Sequence, residues 1–451
     1  MPSVSITKPK LSLVFLVLLV SFQTSAQENS PFSRFGLGNT LPSRNVVNMA
    51  MGGISAAYVP FVTSQSINFN NPASYSSIRP YVIYDLGISL TNRTLKSNTP
   101  TGKYNSVDLV PSYVTLGIPL DTARHMGLVF GLRPLTRISY SSQETKVITG
   151  TGGTKDSVLY VYEGDGGLYQ AFAGIGKRWG NFSLGINTGY NFGKRANNTT
   201  TVVRDTVTTF NSHSRTSTSF SHLFLSGGLQ YEANLSKTTV LRFGVAGNLK
   251  QKLNGRQDVL RETFSFLGNG STTPIDTISS IVDKAGTIEM PLNYNAGISI
   301  VKSVQANGRG RPVEKGFLSL EYESTRWSDF RFYNEAESLV NSWQFKVGGQ
   351  FVPNPLNFRS FWNLVAFRGG FYFGRDAVLV SGKEMPVLGV SLGAGFPVRK
   401  WRSFDNQFTN INTAFEFGKR GNNNNNITES FFRFSVGFSL SDIWFIKRRY
   451  D

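Results

Sequence analysis

The chain has 451 residues, no cysteine, three histidines, and only 16% charged residues. Without cysteine there is no disulfide framework and no thiolate metal site. His125, His213 and His222 contain no i, i+4 pair of the kind that builds a zinc helix. Past residue 26 no apolar run approaches the roughly 18 residues that a membrane-spanning helix requires, so a helical membrane protein is excluded. The phosphate-loop spacing G-x-x-x-x-G-K-[ST] is missing as well. No cofactor is implied. Gly389-Val390-Ser391-Leu392-Gly393 has the spacing of a nucleophile elbow, but that chemistry needs a strand-to-helix turn, and here the motif lies inside an alternating strand. No catalytic residue and no enzyme are expected.

Phenylalanine (36) and glycine (45) are abundant. Residues 1–26 read as a cleaved secretory signal: Lys8 and Lys10 supply the positive region, Leu13 to Val20 is unbroken and apolar, and Thr24-Ser25-Ala26 suits cleavage before Gln27. Losing those two lysines, with no acid in the segment, lowers the formal charge from +18 to +16. Such a balance first suggests nucleic acid. The cations are scattered singly, however, with no run longer than Lys447-Arg448-Arg449, so nucleic acid is not expected and an anionic lipid surface, including lipopolysaccharide, is the better partner.

The dominant signal is period-two alternation from residue 81 to the C-terminus. In 181–193, Phe182, Leu184, Ile186, Tyr190 and Phe192 occupy one face against Ser183, Gly185, Asn187, Gly189 and Asn191. The pattern recurs at Tyr84/Leu86/Ile88/Leu90, Tyr294/Ala296/Ile298/Ile300, Leu388/Val390/Leu392 and Phe432/Phe434/Val436/Phe438. A soluble sandwich also alternates. Aromatic residues near strand ends, such as Trp179, Trp343, Trp362 and Trp444, and strands long enough to cross a bilayer favour a transmembrane barrel. Strands are expected near 81–91, 108–118, 124–147, 156–179, 181–205, 217–232, 238–262, 286–301, 315–324, 342–352, 362–374, 386–397, 408–419 and 430–441. Fourteen strands close an all-β, antiparallel barrel with both termini on one side. Long loops are expected at 92–106, 265–284 and 324–341, with polar tips at 197–201, 268–273 and 422–426.

Ahead of the barrel, Met51 to Ile78 is small, glycine-rich and apolar, and it reads as a plug within residues 27–80, leaving 81–451 as the barrel. Gly52 and Gly53 permit close backbone approach, and Asn71, Pro72 and Ala73 read as an N-cap and first helical turn, predicting a short helix over 72–77. A Gly-Gly pair and an Asn-Pro-Ala element before a β-rich chain resemble the N-terminal hatch of the FadL family of outer-membrane channels for long-chain fatty acids and other hydrophobic compounds. The succession SWQFKVGGQFVPN, FRGGFYFG and VLGVSLGAGFPV within 342–398 is also similar to the late barrel of that family. The hatch departs from the family at Val59-Pro60-Phe61-Val62, where acidic residues are common, and at Ser74-Tyr75, where glycine and an apolar residue follow the Asn-Pro-Ala element.

If apolar residues face lipid, Arg133, Arg242, Lys346, Arg368 and Arg433 face the lumen, with Asp85, Glu321 and Glu416 as partners. These charges either hold the plug through structural ion pairs or receive the anionic head group of an amphiphile. The resemblance implies passive uptake of a hydrophobic or amphiphilic small molecule across the outer membrane. The alternative is a plugged barrel serving as a structural or secretion-machinery subunit, partnered by other envelope proteins. A continuous apolar channel would favour the first. A closed lumen with apolar residues exposed on the extracellular loops would favour the second.

Overall fold

The computed structural model describes residues 30–61, 65–78, 81–149, 155–204, 210–267, 271–305, 312–357, 359–399 and 408–442. The signal segment 1–26 and Trp444 lie outside them.

Fourteen antiparallel strands form a closed barrel. They are β1 (Val82–Asn98), β2 (Thr101–Asp121), β3 (Met126–Thr149), β4 (Lys155–Trp179), β5 (Phe182–Arg204) and β6 (Asn211–Ser236). β7 consists of Thr239–Asn248 and Gln251–Phe266, and β8 of Thr272–Met290 and Asn293–Val304; each is one strand with a two-residue break, since both parts pair with the same neighbour. Then come β9 (Val313–Thr325), β10 (Ser342–Phe351), β11 (Ala366–Val380), β12 (Lys383–Arg399), β13 (Phe408–Arg420) and β14 (Ile427–Asp442). β14 pairs with β1 from Asp442↔Val82 to Ile427↔Ser97, which closes the ring.

Alternation assigns the faces correctly. Leu184 (36% exposed) and Ile186 (43%) point outward, whereas Ser183 (6%) and Asn187 (3%) point into the lumen. A lipid-facing side chain is bare to solvent in isolation, so high exposure on the apolar set marks the outer surface.

Strand length differs from expectation. Residues 92–106 are a hairpin turning at Thr99-Pro100 and most of 265–284 belongs to β7 and β8, while Asn197–Thr201 lie within β5, as the strand expected at 181–205 implies, and not at a loop tip. Apolar residues in these segments, such as Ile275, Ile278 and Val282, follow no period of two, so the alternation vanishes although they remain strands. β3 to β8 therefore rise as a tall wall on one side of the mouth. The 422–426 tip and the 326–341 connection are irregular as expected, the latter containing a small hairpin, Arg331–Phe332 with Glu335–Ala336.

One seam interrupts the wall. β2 and β3 pair only from Val114↔Leu132 to Asp121↔Met126, and a register shift at Pro134/Thr136 bends β3 above that point. The N-terminal segment takes over as the partner of β3: Asn39 pairs with Arg137, Thr40 with Thr136, and the Leu41 N–H donates to the Leu135 carbonyl at 2.9 Å.

Candidate functional site

The site is the lumen, and the N-terminal segment fills it. Helix α1 (Val46–Met49), capped by the Asn45 side chain, packs on β12, β13 and β14, while the 3-10 helix Pro72–Ser77 packs on β3 to β6. Contacts on opposite walls place the segment inside the ring. The Asn71 side chain accepts from the Ala73 N–H at 3.0 Å and donates to the Ala56 carbonyl at 2.6 Å, with Pro72 at the first helical position, as the sequence implies. Gly52 and Gly53 have φ of +68° and +78°, a region open to glycine, and the Gly52 N–H donates to Ser391 Oγ at 2.6 Å. Ser391, the centre of the G-x-S-x-G match, thus holds the plug from mid-strand.

Wall glycines make room for plug backbone. A Cβ on Gly348 would lie 2.1 Å from the Met51 oxygen, one on Gly370 2.1 Å from the Met51 carbonyl carbon, and one on Gly185 2.2 Å from Pro72. Facing glycines let main chain dock on main chain, which a period-two pattern alone does not reveal.

Two buried carboxylates bind the plug. Asp85 accepts from the Ile67 N–H (3.0 Å), Asn45 Nδ2 (2.5 Å), Tyr113 Oη (3.2 Å) and Ser439 Oγ (3.2 Å). Glu321 accepts from the Ser55 and Ala56 N–H groups at 2.5 and 2.6 Å, and Lys346 Nζ stands 3.6 Å from it. Lys346 also pairs with Glu323, which pairs in turn with Arg44 of the plug. Burial opposes the Arg44 charge, but Glu323 and Glu321 outweigh it and hold its pKa above the ordinary value.

The five cations named from sequence all face inward but do not form one cluster. Arg433 pairs with Glu416 at 2.6 Å, and Arg242 with Glu232 at 2.8 Å and Glu314 at 3.5 Å. Arg368 donates to Gln350 (2.7 Å) and Asn412 (2.9 Å). Arg133 donates to Gln170 and to the Ser43 carbonyl, both at 2.9 Å, and lies over the Phe69 and Phe172 rings. Of the five, Arg133 and Arg433 border the cavity of about 480 Å³ above the plug, while Arg242, Lys346 and Arg368 lie outside its lining. Glu416, named from the sequence, borders it as well, whereas Arg44, Glu323 and Arg375 escaped the sequence reading, as did the set in which Arg93 pairs with Glu429 (3.0 Å) and Arg420 with Glu429 (3.3 Å) and Asp376 (2.8 Å). Arg93, Arg420 and Glu429 lie one or two residues beyond the strand ends expected at 91, 419 and 430. Extending the inward parity of Thr91 to Arg93 was the signal that could have found the first of them.

An apolar layer roofs the cavity. Phe32 and Leu37 of the N-terminal segment and Phe330 and Leu339 of the 326–341 connection pack with Leu168 and Ile288 of the wall. Glu337 fastens this roof by accepting from the Gly36 N–H and from Arg195, both at 2.6 Å. The lumen is therefore layered, with plug, charged cavity and apolar roof in succession.

This architecture defines a transmembrane β-barrel of the FadL-like type with a filled lumen. The model of the BamG family matches residues 8–451, and the chain belongs to that family. No curated protein matches. Among solved structures the chain is similar to a Pseudomonas aeruginosa FadL homologue (11% identity, TM-score 0.53, 89% of this chain and 99% of the other). It is also similar to the Pseudomonas putida toluene transporter TodX (14%, 0.52, 90% and 99%) and the Ralstonia pickettii toluene transporter TbuX (13%, 0.51, 88% and 97%). At these identities the likeness is one of fold.

Proposed function

We propose that the chain, exported through cleavage before Gln27, sits in the outer membrane as a plugged, non-conducting barrel and serves there as a structural subunit of an envelope assembly. The observation that supports this most is the layered lumen: an apolar cargo moving along the axis would have to pass an apolar roof, a cavity ringed by buried ion pairs, and a plug seated by Asp85 and Glu321. Desolvating such pairs without replacing them is costly. Outer-membrane lipids and lipopolysaccharide cover the apolar band, and other envelope proteins meet the tall wall.

The test is a strain lacking this protein. The levels of other outer-membrane proteins are expected to fall while uptake of a hydrocarbon probe stays unchanged. Normal protein levels with uptake lost would reverse the assignment.

The seam favours a second reading, uptake of a hydrophobic or amphiphilic small molecule, and TodX and TbuX, which share the fold, are toluene transporters. Leu135 and Thr136 border the cavity, and on the lipid side Val114, Phe130, Leu132 and Ala171 line an apolar groove. A molecule could then move sideways between β2 and β3, with Arg133 meeting an anionic head group. A long-chain fatty acid is one such amphiphile.

A further inference from the structure

The segment that fills the lumen also crosses it from end to end. Its C-terminal end runs into β1 at the base of the barrel, where Val82 pairs with Asp442 and Ile83 with Gly117. Its other end climbs the edge of β3 at the seam. The Leu41 N–H donates to the Leu135 carbonyl, Thr40 and Asn39 pair with Thr136 and Arg137, and the Ser30 N–H donates to the Ser139 carbonyl at 3.1 Å.

The height of Ser139 fixes the side of the membrane on which this end lies. β3 leaves the short turn at the base at Met126. At a rise of about 3.3 Å per residue and a tilt of about 40°, it has climbed roughly 30 Å by Ser139, more than the height of an apolar band of about 25 Å. Two markers on the outer face agree. Tyr169, stacked on Phe192 opposite Pro134, marks the upper aromatic belt, and Ser139 lies beyond it. Asp165, the register partner of Ser139, pairs with Lys194 at 2.8 Å, with the two side chains 72% and 59% exposed, a place for water and not for hydrocarbon.

Between the expected cleavage site and Ser30 stand only Gln27, Glu28 and Asn29, which reach at most about 11 Å when fully extended. The periplasmic rim is roughly 30 Å away on the same strand geometry, beyond that reach.

We propose that the mature amino terminus is exposed on the outer side of the membrane, beside the seam between β2 and β3, so that the plug is seated with its free end outward. The inference rests on the export and outer-membrane placement proposed above and goes beyond them. It orders assembly: the leader is cut before Ser30 reaches Ser139, because an uncut leader would hold that end at the inner membrane. It also constrains opening. A periplasmic partner finds no free end by which to draw the plug out, since the periplasmic end is continuous with β1. Release has to begin outside, where Asn39–Leu41 leave β3 and the Gly36 N–H leaves Glu337.

The chain has no cysteine, so an introduced thiol reports its own position alone. Intact cells carrying the full-length protein are treated with a poly(ethylene glycol) maleimide too large to cross the outer membrane, and again after that membrane is permeabilised. Glu28→Cys tests the terminus. Asn424→Cys, in the 422–426 tip, is the exterior control, and Thr122→Cys, in the turn between β2 and β3, is the periplasmic one. A second variant carries a short epitope between Ala26 and Gln27, read by antibody on intact cells. Heat-modifiability confirms that each barrel is folded.

Glu28→Cys is expected to react on intact cells as fully as Asn424→Cys, with the epitope reached as well, and Thr122→Cys to react at least tenfold less until permeabilisation. The proposal is overturned if either folded terminal variant is reached only after permeabilisation or only after unfolding in urea. If a folded Asn424→Cys is itself unreactive on intact cells, the outer-membrane placement falls too. Reaction at Asn424→Cys without reaction at the terminus removes the exterior terminus alone.

Discussion

Replacing Glu321 with alanine tests how the plug is held. The carboxylate accepts from two plug amides, Ser55 and Ala56, at 2.5 and 2.6 Å and from Asn295 at 3.3 Å, in a site fully closed to solvent. Hydrogen bonds to a charged group contribute about 1.5–3 kcal/mol each. Removing one member of a buried charge network costs about 3–5 kcal/mol, because the remaining partners stay desolvated. Lys346 keeps Glu323, which limits the loss on that side, so about 3–5 kcal/mol is the expected total. At about 1.4 kcal/mol per factor of ten, the fraction of molecules with the plug unseated should rise by about two to three and a half orders of magnitude. Glu321→Gln keeps one acceptor oxygen and should fall between wild type and alanine. The assay is protease cleavage within the plug of purified, detergent-held barrels, alongside the temperature at which the heat-modifiable band converts. Cleavage and conversion temperature both unchanged in Glu321→Ala would refute the claim that this carboxylate seats the plug.

Gly370→Ala should unseat the plug or block assembly, since its Cβ would meet Met51 backbone at 2.1 Å, whereas Gly369→Ala, with 3.6 Å to a Leu392 methyl, should behave as wild type; the heat-modifiable fraction reads both. Leu184→Arg should cost about 2–4 kcal/mol if it lies near the bilayer midplane, as read by urea unfolding in lipid vesicles. Ser183→Arg should also be damaging, because Ser183 faces Ser76 of the plug at 3.4 Å rather than an empty lumen. Phe330→Ala removes a 1% exposed ring from the roof and should cost about 3–5 kcal/mol locally, seen as faster proteolysis of 326–341 with the barrel intact.

The faces of the barrel and the cap at Asn71-Pro72 were legible because each is a local rule: strand side chains alternate, and a helix start is written in adjacent residues. Strand length was not. Above the membrane the wall is wetted on both sides, so a segment such as Ser212–Thr216 carries no apolar stripe and falls outside the strand expected at 217–232. The seating of the plug was also hidden. Gly348 and Gly370 are ordinary inward glycines until Met51 lies on them, and Arg44 meets Glu323 only because the ring closes. Inward cations could be named by parity, but which of them reach the cavity depends on how the plug divides the lumen.

The central claim, a lumen closed by plug, charge layer and roof, is tested most directly by the electrical conductance of the purified wild-type barrel in a planar bilayer. The account predicts insertion without steady conductance, and sustained current only after residues 30–78, which carry both the plug and the roof residues Phe32 and Leu37, are deleted. A steady, ion-conducting open state in the intact protein would contradict it.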